Sequence, residues 1–313
     1  MLVNGWTDAP VNIATAIHSG AVKPKTAILL SAICNFSGAV AMSIFGSAVA
    51  INIYSISGLS SINNNAIPAL VAAVLSVVVW SLIALKFGLP TSESHALMAA
   101  LSGSAVAIGG FSVLNGTEWL KALLGIALST LPVAVLSFFV AAFFNLRLKL
   151  PIFTFKHLQV VGAALSSFSH GAQDGQKLAG LLTLATILTN PDHTQTVAVP
   201  LWAVLTSAVV ISLGTLLGGK SIIKRFSEFA PSNPALGFAS DLVSAVGLSI
   251  LSICGLPAST THAKSSAVLG AGVFDHRLKD LLEPFKWMAL AWVLTFPISA
   301  TLGYFLTRLL TKL

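Results

Sequence analysis

The residues of this chain best suited to chemistry occur in pairs set 166 or 167 positions apart. Gly88-Leu89-Pro90-Thr91-Ser92-Glu93-Ser94-His95-Ala96 recurs as Gly255-Leu256-Pro257-Ala258-Ser259-Thr260-Thr261-His262-Ala263, with six of nine positions identical. Asp8, in Gly5-Trp6-Thr7-Asp8-Ala9, is matched by Asp174, in Gly171-Ala172-Gln173-Asp174-Gly175. Proline does not continue a helix, and it turns the preceding residue away from helical geometry. The Ser and Thr residues that follow are good N-caps for the apolar, Ala-rich helix beyond them. Each phrase therefore predicts a helix that starts within an apolar mass, offering free N–H groups, a positive dipole end and hydroxyls to an anion. The competing reading of a single copy is a kink satisfied by nearby carbonyls; two matched copies favour a site.

The paired aspartates suggest the complementary chemistry. An ionised carboxylate in hydrocarbon is costly, so it faces a pathway, an ion or a paired neighbour. Carboxylate, amide and carbonyl oxygens suit Na⁺, with Asp8 and Asp174 as its ligands, and a carboxylate alone can carry H⁺. Asp241 and Asn35 are further polar residues in apolar runs, the first a coupling-ion candidate and the second a ligand or a packing amide. His95 and His262 either pair with an anion when protonated or hold the tip by bonding a carbonyl. Lys177 either attracts an anion or snorkels. No nucleotide-binding or metalloenzyme motif is present, nor any nucleophile–base–acid set, so the chain reads as a non-enzyme without a cofactor. Cys34 and Cys254 lie in apolar runs and outline neither a disulfide framework nor a metal site.

The elements that must position these residues follow from composition. Apolar residues make up 55% and charged residues 9%, with a mean hydropathy of +0.89. A soluble domain needs about 25% charged residues to cover its surface, so the outer solvent here is lipid. The net charge of +7 does not mark a nucleic-acid binder, because Lys and Arg sit between apolar segments as topology determinants do. Neither a soluble domain nor a cleavable signal peptide is expected. Apolar runs predict spans near 26–50, 66–87, 96–112, 120–146, 157–189, 198–219, 235–254, 263–274 and 285–310, plus a short segment at 1–20. The run 157–189 is interrupted by His170 to Gly175 and reads as a broken helix or a helix pair. Lys23, Lys25, Arg147, Lys149, Lys156, Lys220, Lys224 and Arg225 fall on one side if each half crosses five times, counting the motif segments. The odd number makes the halves antiparallel. The fold expected is an all-α integral membrane protein, a polytopic helical bundle of two inverted-topology repeats (1–150 and 151–313) with broken helices and helical-hairpin tips.

Four phrases in order resemble a known family almost end to end. Asn4-Gly5-Trp6-Thr7-Asp8-Ala9-Pro10 and Ser167-Phe168-Ser169-His170-Gly171-Ala172-Gln173-Asp174-Gly175-Gln176-Lys177 are similar to the duplicated signature of the inorganic phosphate transporter (PiT) family. Gly88 to His95 and Gly255 to His262 resemble its two hairpin-tip motifs. The resemblance implies secondary active uptake of inorganic phosphate across a cell membrane, by symport with Na⁺ or H⁺ through alternating access. It implies that Thr91, Ser92, Ser94, Ser259, Thr260 and Thr261, with Gln176 and Lys177, surround phosphate. Asp8, Asn12, Gln173 and Asp174, with Asn35 and Asp241, are then the coupling-ion candidates. Glu93, His95 and His262 are candidates for a proton or gating role.

The chain departs from the family pattern in places. Thr7 and Gln173 stand where Asn is usual before each signature Asp, and Val11 stands where an Asn is usual after the first, with the amide at Asn12. Glu93 replaces a small hydroxyl residue. A carboxylate beside phosphate repels it by at least ~1 kcal/mol at 4 Å even in water, so Glu93 is turned away, protonated, or bound to a cation. Relatives carry an apolar half-helix before the first Asp, so a truncated first broken helix or a late start is expected. The partners expected are phosphate, a monovalent cation and the lipid bilayer, with no nucleic acid, and a homodimer is compatible with the class. The location expected is multi-pass in the plasma membrane, in a prokaryote the inner one. Another tetrahedral oxyanion such as sulfate is the alternative substrate, and an anion channel the alternative class.

Overall fold

A computed structural model describes residues 1–62, 65–87, 91–148, 150–189, 198–275 and 278–312. Among them the ordered elements are helical: α1 (Leu2–Thr7), α2 (Ala9–His18), α3 (Pro24–Phe45), α4 (Ala48–Ile56), α5 (Ala66–Lys86), α6 (Glu93–Gly109), α7 (Gly116–Leu128), α8 (Leu131–Leu146), α9 (Ile152–Thr189), α10 (Leu201–Leu216), α11 (Lys220–Ser227), α12 (Pro234–Ile253), α13 (Thr260–Gly272) and α14 (Leu278–Leu310). Gly88, Leu89 and Pro90 of the first tip phrase lie outside the described residues. Every expected span corresponds to a helix; α4 and α11, too short to show as apolar runs, were not anticipated.

The burial pattern inverts that of a water-soluble protein. Val71, Leu75, Val79 and Leu82 of α5 and Leu131, Val135, Phe139 and Phe143 of α8 are exposed, whereas Asp8, Glu93, Asp174, Lys177, Asp241 and Lys264 are buried. Apolar side chains on the outside and charges on the inside are what a hydrocarbon solvent selects. Five segments are long and apolar enough to cross a membrane, with α10 and α11 as a further pair bent by 70°. The protein is therefore a multi-pass membrane protein.

One feature refines the sequence expectation and one differs from it. Each motif helix is the return arm of a hairpin, α6 after α5 and α13 after α12. The Ser232 backbone N–H and hydroxyl donate to Asp275 Oδ2 at 2.5 and 2.8 Å, so the α12–α13 hairpin opens where it began. Asn65 before α5 and Gly110 after α6 border one shared cavity, so the first hairpin does the same.

The feature that differs is α9, which is one helix of 38 residues through His170 to Gly175. Its counterpart breaks at Asp8 because Pro10 stands in the first turn of α2. The position 166 residues later is Gln176, which keeps its N–H and lets the helix run on. The glycines of α9 serve packing instead. A Cβ at Gly171 would collide with the Asn35 backbone of α3, and one at Gly38 of α3 with the Phe168 carbonyl of α9. Close helix approach over small residues is how membrane bundles gain contact without a hydrophobic driving force.

That crossing yields a test. Gly38→Val is expected to lower thermal stability in detergent by the equivalent of about 1–3 kcal/mol through overpacking. Gly46→Ala, where a Cβ meets nothing within 4 Å, should leave it unchanged. Equal melting temperatures for the two variants would show that the α3–α9 contact is not close-packed.

Candidate functional site

The site is built where the two hairpin tips meet the Asp8 break and the middle of α9. Ser92 and Ser259 are the N-caps of α6 and α13, accepting from the His95 and His262 backbone N–H groups at 3.3 and 3.2 Å. Those hydroxyls hold the helix starts, as the sequence predicts. The next residues reach into the centre. Thr260 donates to Asp174 Oδ2 at 3.2 Å and Thr261 to Asp8 Oδ2 at 3.2 Å. Asn4 Nδ2 bridges the two aspartates, at 3.3 Å to Asp8 and 3.0 Å to Asp174. The sequence repeat thus brings both signature carboxylates into one network with both tips.

Lys177 closes that network. Its ammonium lies 2.6 Å from Asp174 Oδ1, 2.5 Å from Ser94 Oγ and 2.7 Å from the Ala258 carbonyl. Three acceptors use all three N–H donors, so the group neither snorkels nor points free. One turn of α9 sets Asp174 and Lys177 on a common face, and Ser94 and Ala258 bring one acceptor from each tip. His170 Nε2 lies 3.3 Å from Asp174 Oδ2, while its Nδ1 meets Asn35 Oδ1 at 2.8 Å. Asn35 is thereby engaged with His170 and, at 3.0 Å, with Thr215.

Glu93 is turned inward. Thr7 Oγ1 lies 3.0 Å from Glu93 Oε1, 3.2 Å from Asp8 Oδ1 and 2.9 Å from the Val3 carbonyl. Of the three sequence readings of Glu93, turning away is therefore excluded. Three carboxylates (Asp8, Glu93 and Asp174) share this centre with the Lys177 ammonium, and the Met1 amino group lies near Glu93. A cavity of about 90 Å³ opens onto this floor, bordered by Asn4, Glu93, Ser94, Asp174 and Lys177. That is room for a small ion or a few waters, a water's share of the liquid being about 30 Å³. The Oδ1 atom of Asn4 is buried without a hydrogen-bond partner among the described residues, as are Oε1 of Gln173 and of Gln176. The Asn4 oxygen, lacking a donor beside two carboxylates, fits a hard monovalent cation. Among the described residues no three His, Cys, Asp or Glu side chains converge as a metal-ion site.

The other sequence-predicted residues divide. Thr91 is buried beside the first tip. Gln173 reaches the second tip through the Leu256 carbonyl at 3.0 Å, whereas Gln176 bonds the Ala172 carbonyl of its own helix at 3.1 Å. Among the described residues the His95 and His262 rings hold no carbonyl; they meet edge-to-face with centroids 4.3 Å apart, backed by Phe296 and Trp292. Asn12 and Asp241 lie apart from the centre. Asn12 accepts from Ser166 at 2.9 Å, and Asp241 is paired with Lys264 and accepts from Thr15 at 2.7 Å. Sequence reasoning assigned no role to Asn4, Thr7, Thr15, His170 or Lys264. The first two and His170 sit in the quoted signature phrases, and Lys264 is an ionisable residue in an apolar run, a sufficient signal in itself.

The profile of the phosphate transporter family matches residues 4–154 and 147–303. The chain belongs to the phosphate transporter family. A protein of Bacillus subtilis named "probable low-affinity inorganic phosphate transporter" is 36% identical over 98% of this chain and 94% of its own length. One of the same name from Rhizobium meliloti is 31% identical over 96% and 90%. A solved structure titled "The sodium-dependent phosphate transporter" superposes with a TM-score of 0.88 at 23% identity, covering all of this chain and 96% of the other. The fold is thus that of the phosphate transporter family, whose members are transporters and not enzymes.

In this member, breaking the central ion pair has a predictable cost. Lys177→Ala strands Asp174 and is expected to destabilise the protein by about 3–5 kcal/mol, read as a lower melting temperature in detergent. The neutral pair Asp174→Asn/Lys177→Met should recover most of that loss. A Lys177→Ala protein as stable as the parent would remove the ammonium from the structural account of the tips.

Proposed function

We propose that this protein imports inorganic phosphate across a prokaryotic plasma membrane by symport with a monovalent cation, Na⁺ in the first instance, through alternating access between two inverted halves. The observation that carries the reading is the convergence of two hydroxyl-bearing helix tips on a buried centre with more carboxylates than ammoniums. Such a centre repels an oxyanion. At a separation of about 4 Å and an effective dielectric of about 20, each unit pair contributes about 4 kcal/mol. Cation entry lessens that repulsion, and this is the physical basis of coupling in the proposed reading.

The halves differ in where they lack a cation. Asp174 already has Lys177, but the position equivalent to Lys177 is Val11, and the one equivalent to Thr260 is Glu93. The side that lacks a lysine is therefore Asp8 with Glu93, with the Met1 amino group near the latter. In this reading the cation is held there by both carboxylates, the Thr7 and Thr261 hydroxyls and the free Asn4 oxygen. Phosphate is then received by the α6 and α13 N-termini with Ser94, Thr260 and Thr261. The order of elements supports the two-repeat reading: α5–α6 and α12–α13 are both hairpins, and each tip helix packs on the last pass of the other half, α6 on α14 and α13 on α8. The names of the relatives and of the solved structure support phosphate and Na⁺.

The test is uptake of radiolabelled phosphate into proteoliposomes under separate Na⁺ and H⁺ gradients. An inward Na⁺ gradient is expected to drive accumulation, and Asp8→Asn or Glu93→Gln to reduce it by about tenfold or more, the effect of about 1.4 kcal/mol in cation affinity. Arsenate should compete, and sulfate much less. Accumulation driven by H⁺ alone would replace Na⁺ with protons, flux indifferent to either gradient would make the protein a channel, and strong sulfate competition would change the substrate.

A further inference from the structure

A second buried charge cluster lies off the centre and takes no part in the site described above. Lys264 of α13 is fully buried and paired with Asp241 of α12, and its Nζ lies 3.4 Å from Thr15 Oγ1 of α2. One turn back along α2, Asn12 meets Ser166 of α9. Asp241 Oδ2 is buried without a hydrogen-bond partner among the described residues. An ammonium, a carboxylate, a hydroxyl and an amide are thus gathered in a bilayer-embedded region, where each is costly.

The internal repeat says what this place corresponds to. Shifted by 166 or 167 residues, Asn12, Thr15, Asp241 and Lys264 become Leu178, Leu181, Val74 and Leu97. All four of those residues border the cavity of about 90 Å³ that opens onto the central carboxylates. An open space in one half therefore has as its counterpart a closed, polar-lined contact in the other. Helix α9 shows that they lie on opposite sides of the centre. Ser166, which holds Asn12, precedes Asp174 by eight residues, about 12 Å of helix, and Leu181 follows it by seven, about 10 Å. The Asn12 side runs toward the Lys23, Lys25 and Lys156 connections, which the positive-inside rule sets in the cytoplasm.

We propose that Asn12, Thr15, Asp241 and Lys264 line a second vestibule, closed in this conformation, through which the anion leaves toward the cytoplasm, and that the Lys264 ammonium is an anion-binding residue on that route. Asp241 is its resident counter-ion: it keeps the ammonium neutralised while the vestibule is shut, and an arriving oxyanion takes its place when the helices part. The Thr15 hydroxyl and the Asn12 amide supply neutral donors beside it, a set suited to a tetrahedral oxyanion and absent from the apolar counterpart. The inference rests on the reading of two inverted halves that alternate access, and it adds a residue, Lys264, outside the central site.

Cysteine accessibility tests it. In protein with Cys34→Ser and Cys254→Ser, single cysteines at Val74 and Thr15 are treated in proteoliposomes with a charged, membrane-impermeant thiol reagent from either face. Val74→Cys is expected to react from one face and Thr15→Cys from the other; Asn12→Cys serves as the second reporter if Thr15→Cys does not fold. Inorganic phosphate should slow modification at Thr15→Cys by roughly 5-fold or more, and Lys264→Met/Asp241→Asn in the same background should abolish that protection. Reaction of both reporters from a single face, or none at Thr15→Cys and Asn12→Cys while Val74→Cys reacts, overturns the vestibule. Undiminished phosphate protection in the neutral pair overturns Lys264 as the anion residue. Opposite-face labelling slowed by sulfate and not by phosphate supports the vestibule and refutes phosphate as the substrate, so the two readings fail separately.

Discussion

One ammonium organises this molecule. Lys177 Nζ takes one acceptor from the first tip, one from the second and one from its own helix, at 2.5 to 2.7 Å. In hydrocarbon an unpaired charge at this depth is prohibitive, so the three acceptors must all be present for the fold to be stable. That requirement ties the position of α9 to that of both hairpins. It also explains why α9 runs unbroken where α1 and α2 part: Asp174 and Lys177 share a face only if the helix is continuous between them. The α3 surface of small residues, Gly38 among them, then lets α9 approach closely enough to hold its place.

The same ammonium makes the halves unequal. An internal repeat supplies two aspartates, two tips and two sets of hydroxyls. One aspartate acquires a covalently tethered cation, whereas the other acquires a second carboxylate, Glu93, bridged to it by Thr7. The first arrangement pairs unlike charges; the second sets two carboxyl groups side by side. The two sides of the centre are therefore unequal in charge, and the direction of that asymmetry follows from two differences, Val11 against Lys177 and Glu93 against Thr260.

Much of this was legible in the residues because the repeat amplifies a weak signal. A single Gly-Leu-Pro with hydroxyls is compatible with a kink, but the second copy made both tips and both aspartates readable as one site. What was not legible has physical causes. The α12–α13 hairpin closes through Ser232 and Asp275, 43 residues apart, a contact that no local pattern displays. The interruption at His170 to Gly175 resembled a break because glycine and polar residues disfavour helix, yet the residue that enforces one, Pro10, has no equivalent at Gln176. The partner of Asp241 lies 23 residues away on the neighbouring helix of a hairpin, a pairing invisible until the hairpin is known. The orientation of Glu93 depended on Thr7, which is 86 residues distant.

The two tips touch through contacts of opposite character, and that difference bears on how they move. Through Lys177 they share directional, charge-assisted bonds, which tolerate little displacement before a buried charge is stranded. Through His95 and His262 they share an edge-to-face ring contact with no hydrogen bond on any ring nitrogen among the described residues. Ring contacts of this kind hold over centroid separations of 4.5 to 7 Å and lose energy gradually, so they permit sliding. Displacement of one tip against the other is therefore easiest where the histidines meet and costliest where Lys177 bonds. A motion that spares those bonds keeps α9 with both tips and shifts α2 around them. The contacts such a motion must renew are those between α2 and its neighbours: Asn12 to Ser166, and Thr15 to the Asp241–Lys264 pair. Polar contacts suit that role, because groups exposed by the opening of a water-filled space are solvated in the state that exposes them and paired in the state that does not.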